Sequence, residues 1–260
     1  MEPFIVDAHV HTGYPNHFFS PQVDAVSLLK QMDRLHIRYA VNLCSLKMPL
    51  GNNLEEMDNL EREFEQSGGR IFYCSFYDPR RAEEDLRILK TVIRRKGLKG
   101  IKIHPAFNGI SADDDRYDSV WKAAADHNLP IVAHTWSESE YNPSQVLASP
   151  RKFRVFVERY PNVRFVLGHS GGRGSGRLEA VLLAEEFENV YMDFAGDIYC
   201  LDYFKEMTSR DLTDKILFGS DYPWIDPRSH LTRVFLAEIG NEAKRKILSE
   251  NAMKCFRIEE

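Results

Sequence analysis

The segment IVDAHVH near the amino terminus places two histidines, His9 and His11, one residue apart, directly after an apolar run. On an extended strand, residues at i and i+2 point to the same side, so both imidazoles can face one point. Two more histidines and an aspartate follow later apolar runs: His134 in IVAHTW, His169 in FVLGHSGG and Asp221 in ILFGSDYPW. Neutral imidazole and carboxylate are good ligands for zinc and similar divalent ions. The pattern predicts a metal site, provided that the fold brings these five residues together.

The candidate ligands stand at the ends of predicted strands. Apolar, β-rich runs alternate along the chain with amphipathic segments of helical length. Most of the runs are continuously apolar, which is typical of parallel strands covered on both faces. The predicted strands are residues 4–8, 39–43, 71–76, 98–103, 130–134, 163–168, 189–194 and 216–219. The predicted helices are residues 23–36 (starting after Ser20-Pro21), 55–66, 82–95, 116–127, 144–159, 176–187, 200–210, 231–239 and 241–255.

Eight strands, each followed by a helix, predict an α/β fold of the (β/α)8 TIM-barrel type, with residues 1–260 forming a single domain. A doubly wound open sheet is the competing architecture. No glycine-rich nucleotide-binding loop follows the first strand, which argues against that competitor. In a barrel, the carboxyl ends of all strands meet at one face, where active sites lie. The barrel therefore predicts that the candidate ligands converge.

Composition narrows the class of protein. The chain has 260 residues, 43% of them hydrophobic, which is enough for one large core. A net charge of −5 and a pI near 6.0 give no basic surface for nucleic acid or an anionic membrane. No apolar run approaches the ~20 residues that span a bilayer, and the amino terminus shows no signal-peptide pattern. The four cysteines form no CxxC pair and are expected to be reduced. We therefore expect a cytoplasmic protein that acts on a small molecule.

The stretches DAHVH, GIKIHP, IVAHTW, GHSGG and FGSDYPW, in this order, resemble the amidohydrolase superfamily. They most resemble its amidohydrolase-related (amidohydrolase 2) branch of metal-dependent TIM-barrel hydrolases and decarboxylases. The closing ILSENAMKCFRI resembles that branch's final helix, so the likeness covers nearly the whole chain. The resemblance implies that His9, His11 and His134 bind metal. It implies that His169 binds a second metal or polarises the metal-bound water, and that Asp221 binds metal and shuttles a proton. A homodimer is implied by this resemblance alone.

The fourth strand leaves the number of ions open. Binuclear relatives often carry a carboxylated lysine or a glutamate there, and this chain offers Lys102 and His104 in GIKIHP. Lys102 could be that bridging lysine, an unmodified cation near a substrate carboxylate, or a lysine that points out of the barrel. His104 is expected to contact substrate or to support a ligand. One ion is favoured over two, with zinc as the expected metal and manganese or another divalent ion as alternatives.

Such a site permits two reactions. A divalent ion lowers the pKa of bound water toward neutrality, and the resulting hydroxide can attack an ester, lactone or amide carbonyl. Asp221 would accept the proton and His169 would hold the water in line. The same ligands can instead serve decarboxylation of a cyclic or unsaturated carboxylic acid. We expect a metal-dependent hydrolase of a small, anionic carbonyl substrate, with the decarboxylase as the alternative. A non-catalytic metal-binding barrel is the least favoured hypothesis.

Loop residues that follow the metal strands are candidate substrate contacts: Trp136, Arg173, Tyr222 and Trp224. As a group they indicate a planar or ring-bearing substrate with an acidic group that faces Arg173. Lys47, in the loop after the second strand, is a further candidate for an anion contact.

Overall fold

The computed structural model describes residues 4–13, 23–45 and 53–259 and contains one sheet of eight parallel strands in the order β1 to β8. Each strand is hydrogen-bonded to the strand that precedes it in the chain, so the predicted (β/α)8 TIM barrel is confirmed. The strands are β1 (Ile5–Thr12), β2 (Ile37–Ser45), β3 (Ile71–Tyr77), β4 (Leu98–Ile103), β5 (Ile131–His134), β6 (Phe165–Gly168), β7 (Val190–Asp193) and β8 (Ile216–Leu217).

Helices follow the strands, largely where the sequence predicts them. They are α1 (Ala25–Leu35), α2 (Leu54–Gln66), α3 (Ala82–Val92), α4 (Pro105–Asn108), α5 (Asp118–His127), α6 (Arg154–Arg159), α7 (Gly174–Glu186), α8 (Tyr203–Ser209), α9 (Pro227–Leu236), α10 (Asn241–Arg245) and α11 (Asn251–Phe256). A wider turn of π-helix, Lys246–Glu250, joins α10 to α11. Within the described ranges, none of these helices combines the length and apolarity needed to cross a membrane.

Several predicted helices begin at other residues in the structure, and the causes of three of these differences are local. Within the predicted segment 144–159, the part before Arg154 forms short 3-10 turns, because Pro150 cannot donate to the preceding turn. α9 begins at Pro227, earlier than predicted, because the Asp226 side chain accepts the N–H of Arg228. In α1, Asp24 accepts the N–H of Ser27 at 2.8 Å and caps the helix. The predicted start at Ser20-Pro21 lies outside the described residues, as does Lys47.

Main-chain hydrogen bonds between the first and last strands close the barrel. The N–H of Ala8 donates to the Phe218 carbonyl at 2.8 Å. Farther along, the N–H of Asp221 donates to the His9 carbonyl at 2.8 Å. This seam between β1 and the residues that follow β8 holds the predicted ligands His9 and Asp221 side by side.

Asp7 lies inside the seam and holds its two sides together. One carboxylate oxygen accepts the N–H of His9 at 3.2 Å and the N–H of Ser220 at 3.0 Å. The side chain is buried, and burial raises the pKa of Asp7 to about 7. Asp7 therefore supports the backbone next to the site rather than touching an imidazole.

A bulge in β1 decides which of its side chains enter the barrel. Two residues of β1 lie between Asp7 and Val10, but a single residue of β2 lies between their partners Ala40 and Asn42. Such an extra residue reverses the alternation of side chains along a strand. Ala8, before the reversal, packs in the interior, whereas Val10, after it, packs in the outer layer against the helices. The two histidines that flank Val10 consequently face the interior.

The barrel interior below the histidines is closed by apolar side chains and by α11. Its members are Val6, Ala8, Val41, Leu43, Phe72, Cys74, Val132, Val166, Tyr191, Leu217, Ala252, Cys255, Phe256 and Ile258. At the strand starts, Arg164 donates to the Cys255 carbonyl at 2.7 Å and Lys99 donates to the Arg257 carbonyl at 3.3 Å. α11 therefore covers the amino-terminal end of the barrel, opposite the predicted site.

Replacing Asp7 by alanine would leave two buried N–H groups of the seam without their acceptor. Each unsatisfied buried donor costs about 1–3 kcal/mol, so we expect Asp7→Ala to lower the free energy of unfolding by roughly 2–4 kcal/mol in urea titrations. Asp7→Asn keeps an oxygen acceptor and should lose less than about 1 kcal/mol. Equal stability of the two variants would contradict the role of Asp7 in the seam.

Glu63 on α2 should make stability depend on pH. One of its oxygens accepts the Thr12 hydroxyl at 3.1 Å, and burial raises the pKa of Glu63 from 4.5 to about 7. The folded state therefore binds this proton more tightly than the unfolded chain. The contribution to stability is complete below pH 4.5 and is lost as the pH rises through about 7.

The variant Glu63→Gln cannot ionise and should gain stability relative to wild type as the pH rises from about 5 to 8. Thermal unfolding at several pH values measures this difference. A stability difference that stays constant over the range would show that Glu63 does not titrate as described.

Candidate metal centre

The carboxyl ends of β1 and β8 bring two imidazoles and one carboxylate to a common point. Nε2 of His9 and Nε2 of His11 each lie 3.5 Å from Oδ1 of Asp221. Ligand atoms of these three residues all lie within 4.8 Å of one another. Donors about 2.1 Å from a tetrahedral ion are themselves about 3.4 Å apart, so the spacing suits a single cation.

Hydrogen bonds on the opposite nitrogens orient both imidazoles of β1. Nδ1 of His9 lies 2.9 Å from Oδ2 of Asp193, and Nδ1 of His11 lies 3.2 Å from the Cys44 carbonyl. A carboxylate or a carbonyl oxygen accepts only, so each Nδ1 carries a proton and donates it. Each Nε2 is then the nitrogen that faces Asp221, in the arrangement that metal-binding histidines use.

Nε2 of His9 is buried and has no hydrogen-bond partner among the residues that the structure describes. A buried polar atom without a partner costs about 1–3 kcal/mol, so such atoms call for an explanation. Burial also lowers the pKa of His9 to about 4, which keeps the ring neutral near pH 7. A neutral imidazole with an available lone pair beside a carboxylate is a suitable pair of ligands for a divalent ion. The residues present at this site therefore fit a bound metal.

Asp221 supplies the negative charge of the group. Burial opposes ionisation, but the hydrogen bond from His11 and the nearby histidines lower the pKa of Asp221. Burial alone would lower the pKa of His11, yet Cys44 and Asp221 raise it to about 9. Without an ion, a second proton on His11 balances Asp221, and a bound cation would displace that proton.

His169 follows β6 on a turn with unusual backbone geometry. The φ angles of His169 and Ser170 are 63° and 46°, in the left-handed region. The His169 N–H donates to Oδ1 of Asp193 at 2.8 Å, and Nδ1 lies 3.0 Å from the Ala195 carbonyl. The ring centre is 4.7 Å from that of His9. The hydrogen bonds of this ring within the described residues use Nδ1, which leaves Nε2 as the nitrogen that could meet a proton, a water molecule or an ion.

Two glycines, because they lack a Cβ atom, leave room for the side chains of His9 and His169. A Cβ on Gly219 would lie 2.8 Å from the Cβ of His9. Gly196 has a φ of 82°, and a Cβ there would lie 2.8 Å from Nδ1 of His169. Larger residues at these positions would displace the rings.

His134 ends β5 as predicted, but its nitrogens do not join the group around Asp221. Its Nε2 lies 3.0 Å from Oε1 of Gln145. Its ring stacks on that of His104, with centres 3.9 Å apart and planes 10° apart, and is parallel within 11° to Trp136 at 6.3 Å. We call His104, His134 and Trp136 the ring wall. His169 lies beside it, with its ring centre 4.8 Å from that of His134. Metal ligation by His134 stays a prediction.

Lys102 of β4 lies inside the barrel. It is 2% exposed, and the charges of Asp193 and Asp221 act on it. Burial lowers the pKa of Lys102. The alternative in which Lys102 points out of the barrel disagrees with this placement, while its bridging and substrate-contact roles stay predictions. His104 caps α4, where its Nδ1 accepts the Phe107 N–H at 3.2 Å.

The predicted substrate contacts lie around the mouth of the barrel. The ring of Trp224 is 4.9 Å from that of His11. The Tyr222 carbonyl accepts the His11 N–H at 2.7 Å, which continues the seam. Arg173 is exposed and donates to the carboxylate of Asp197 at 2.5 Å. Its predicted contact with an acidic group of the substrate stays a prediction.

Asp193 is a candidate site residue that the sequence pattern did not single out. It ends β7 in VYMDF, directly after an apolar run, which is the position that Asp221 occupies after β8. The same signal, a carboxylate at a strand end, could have found it. The supporting roles of Cys44 and Gln145 carry no comparable signal.

Comparison with known proteins agrees with this architecture. The family model of Amidohydrolase (Amidohydro_2) matches residues 6–258. A search of curated proteins finds no significant match.

Solved structures of similar fold cover nearly the whole chain. An uncharacterised TIM-barrel protein, Bb4693 from Bordetella bronchiseptica, has a TM-score of 0.78 and 15% identity, over 97% of this chain and 98% of that chain. A 5-carboxyvanillate decarboxylase from Novosphingobium aromaticivorans, solved with manganese and 3-methoxy-4-hydroxy-5-nitrobenzoic acid, has a TM-score of 0.78 and 14% identity, over 99% and 98%. A 2,6-dihydroxybenzoate decarboxylase from Rhizobium has a TM-score of 0.73 and 13% identity, over 98% of both chains.

At these identities the likeness to solved structures shows the fold, whereas the family match extends over almost every residue of the barrel. The protein therefore belongs to the Amidohydrolase (Amidohydro_2) family, whose members are metal-dependent decarboxylases and hydrolases.

Proposed function

We propose that the protein is a divalent-metal-dependent decarboxylase of a small aromatic or unsaturated carboxylic acid. The ring wall beside the imidazole and carboxylate group carries this proposal. The ring of His104 stacks on that of His134 with planes 10° apart, Trp136 is parallel to His134 within 11°, and all three rings are partly exposed beside His169. Aromatic surfaces of this kind favour planar partners. Similar structures that are decarboxylases of benzoic acids support the same substrate class.

We assign the ion to His9, His11 and Asp221, with His134 as the further ligand that the family resemblance implies. One ion is favoured, because the second His and Asp group in the structure, His9 with His169 and Asp193, has both carboxylate oxygens engaged. Imidazole and carboxylate donors suit zinc, and manganese fits the same proposal because a similar structure contains it.

A bound divalent ion would polarise a substrate oxygen and stabilise negative charge that develops on it. In decarboxylation, the bond between the carboxylate and the ring carbon breaks, its electron pair stays on the ring carbon, and a proton takes the place of CO2. His169 is positioned to deliver that proton, because Ala195 holds its Nδ1 and leaves Nε2 available. Solvent then returns the proton to His169. Asp221 is ionised and stays a charge-bearing ligand.

Hydrolysis of an ester, lactone or amide is the second candidate, and the position of Asp221 favours it. This carboxylate is ionised, 16% exposed and adjacent to both Nε2 atoms of β1. It can therefore accept a proton from an attacking water molecule and return it to the leaving group. His169 would orient that water.

Metal content tests the ligand assignment. Wild-type protein purified without chelator should contain about one divalent ion per chain, and the double variant His9→Ala, His11→Ala should contain almost none. Elemental analysis by mass spectrometry measures both. His127→Ala, an exposed histidine at the end of α5, is the matched control and should keep the ion. Unchanged metal content in a folded double variant would refute the assignment.

Activity tests distinguish the two reactions. Metal-reconstituted protein should release CO2 from a member of a panel of hydroxybenzoic and unsaturated acids, measured with a coupled CO2 assay. His169→Asn should lower kcat by roughly 10²–10⁴-fold, the usual contribution of a proton-transfer group, while it keeps the ion. Acid release from lactones or esters without CO2 would establish the second candidate instead.

A further inference from the structure

We propose that Asp193 is a positioning residue that keeps Nε2 of His9 unprotonated and holds the turn that carries His169. This arrangement of protons and rings exists before any ion binds. Its consequence for metal affinity rests on the proposed function.

One carboxylate connects three separate parts of the site. Asp193 is fully buried at the end of β7. Its Oδ2 lies 2.9 Å from Nδ1 of His9 in β1, and its Oδ1 accepts the N–H of His169, after β6, at 2.8 Å. The same Oδ1 accepts the N–H of Ala195 at 3.1 Å. A buried charge is tolerated when its oxygens are hydrogen-bonded, and these contacts meet that condition.

The contact with His9 selects one of its two neutral tautomers. A carboxylate oxygen accepts only, so the single proton of the ring must sit on Nδ1. Nε2, which has no hydrogen-bond partner in the described part of the chain and lies 3.5 Å from Oδ1 of Asp221, then keeps its lone pair. The other tautomer would place a proton on Nε2 and remove the donor that the ion needs.

The other oxygen of Asp193, Oδ1, stabilises a turn whose backbone conformation is unfavourable. Left-handed φ angles are unfavourable at residues other than glycine, and His169 and Ser170 both have them. The Asp193 carbonyl also accepts the Ser170 hydroxyl at 2.6 Å. Ala195, whose N–H Asp193 binds, offers its carbonyl to Nδ1 of His169. Asp193 thus orients two imidazoles. Its Oδ2 contacts the ring of His9, and its Oδ1 holds the backbone that carries His169.

A role of Asp193 as a direct metal ligand is the competing explanation, since ligand atoms of His9, His169 and Asp193 also lie close together. Its oxygens are already occupied by N–H donors, and the His9 nitrogen that it contacts is Nδ1 rather than the unpartnered Nε2. The positioning role therefore accounts for more of the contacts.

The variant Asp193→Asn separates these roles. Its oxygen can still accept the N–H groups of His169 and Ala195, so the melting temperature should change by only a few degrees. Its NH2 group would face Nδ1 of His9 and push the proton to Nε2. In metal-free protein, ¹⁵N NMR of the histidine rings should show His9 protonated on Nδ1 in wild type and on Nε2 in the variant. The Kd for added Zn²⁺ should rise about 10–100-fold.

Asp7→Asn is the matched control. Asp7 is also a buried strand carboxylate that accepts two backbone N–H groups, but among the described residues no histidine ring nitrogen is hydrogen-bonded to its oxygens. Its replacement should leave the His9 tautomer and the Kd for Zn²⁺ unchanged.

A His9 proton that stays on Nδ1 in Asp193→Asn would overturn the positioning role, whatever the protein binds. A wild-type protein that binds no Zn²⁺ would overturn the proposed function, while the NMR result would still decide the role of Asp193. If Asp193→Asn does not fold, the wild-type spectrum alone decides, because a His9 protonated on Nε2 contradicts the inference.

Discussion

A carboxylate buried inside a barrel must have its oxygens hydrogen-bonded, and the organisation of this site depends on how Asp193 meets that requirement. Burial alone would raise its pKa, but the charges and hydrogen bonds of His9 and His169 lower the pKa of Asp193 to about 2. The carboxylate needs these donors, and the imidazoles need an acceptor that orients them. β1, the turn after β6 and the end of β7 therefore form one cooperative unit.

The remaining features of the barrel make space for that unit. The bulge in β1 directs both of its histidines inward, although Ala8, the residue before His9, also faces the interior. Gly219 and Gly196 lack the Cβ atoms that would collide with His9 and His169. Asp7 joins β1 to β8 next to these positions. The bulge in β1 and these two glycines thus lie next to the side chains of the candidate site.

The sequence was sufficient to predict the barrel and the convergence of His9, His11 and Asp221, because both follow from local patterns. Apolar runs mark the strands, and parallel strands place their carboxyl ends at one face. The contact between Asp193 and His9 joins residues 184 positions apart, and it depends on how β7 and β1 are placed across β8. No local pattern encodes that placement.

The loops were predictable to a smaller extent. The bond between His134 and Gln145 depends on how the short 3-10 turns after β5 return to the barrel mouth, and several competing conformations are compatible with their proline-containing sequence. Arg173 had a plausible substrate role, but the nearby carboxylate of Asp197 provides it with an internal partner. Charged side chains at a rim have many such partners, and sequence alone does not rank them.

The position of α11 has a kinetic consequence. Because α11 and the apolar interior close the amino-terminal end of the barrel, reactant and product use the same face, where the strands end. Under the proposed function, a product molecule that has not yet dissociated would occupy the position that the next substrate molecule must take. Turnover should therefore slow as conversion proceeds, and the departing compound should behave as a competitor of the arriving one.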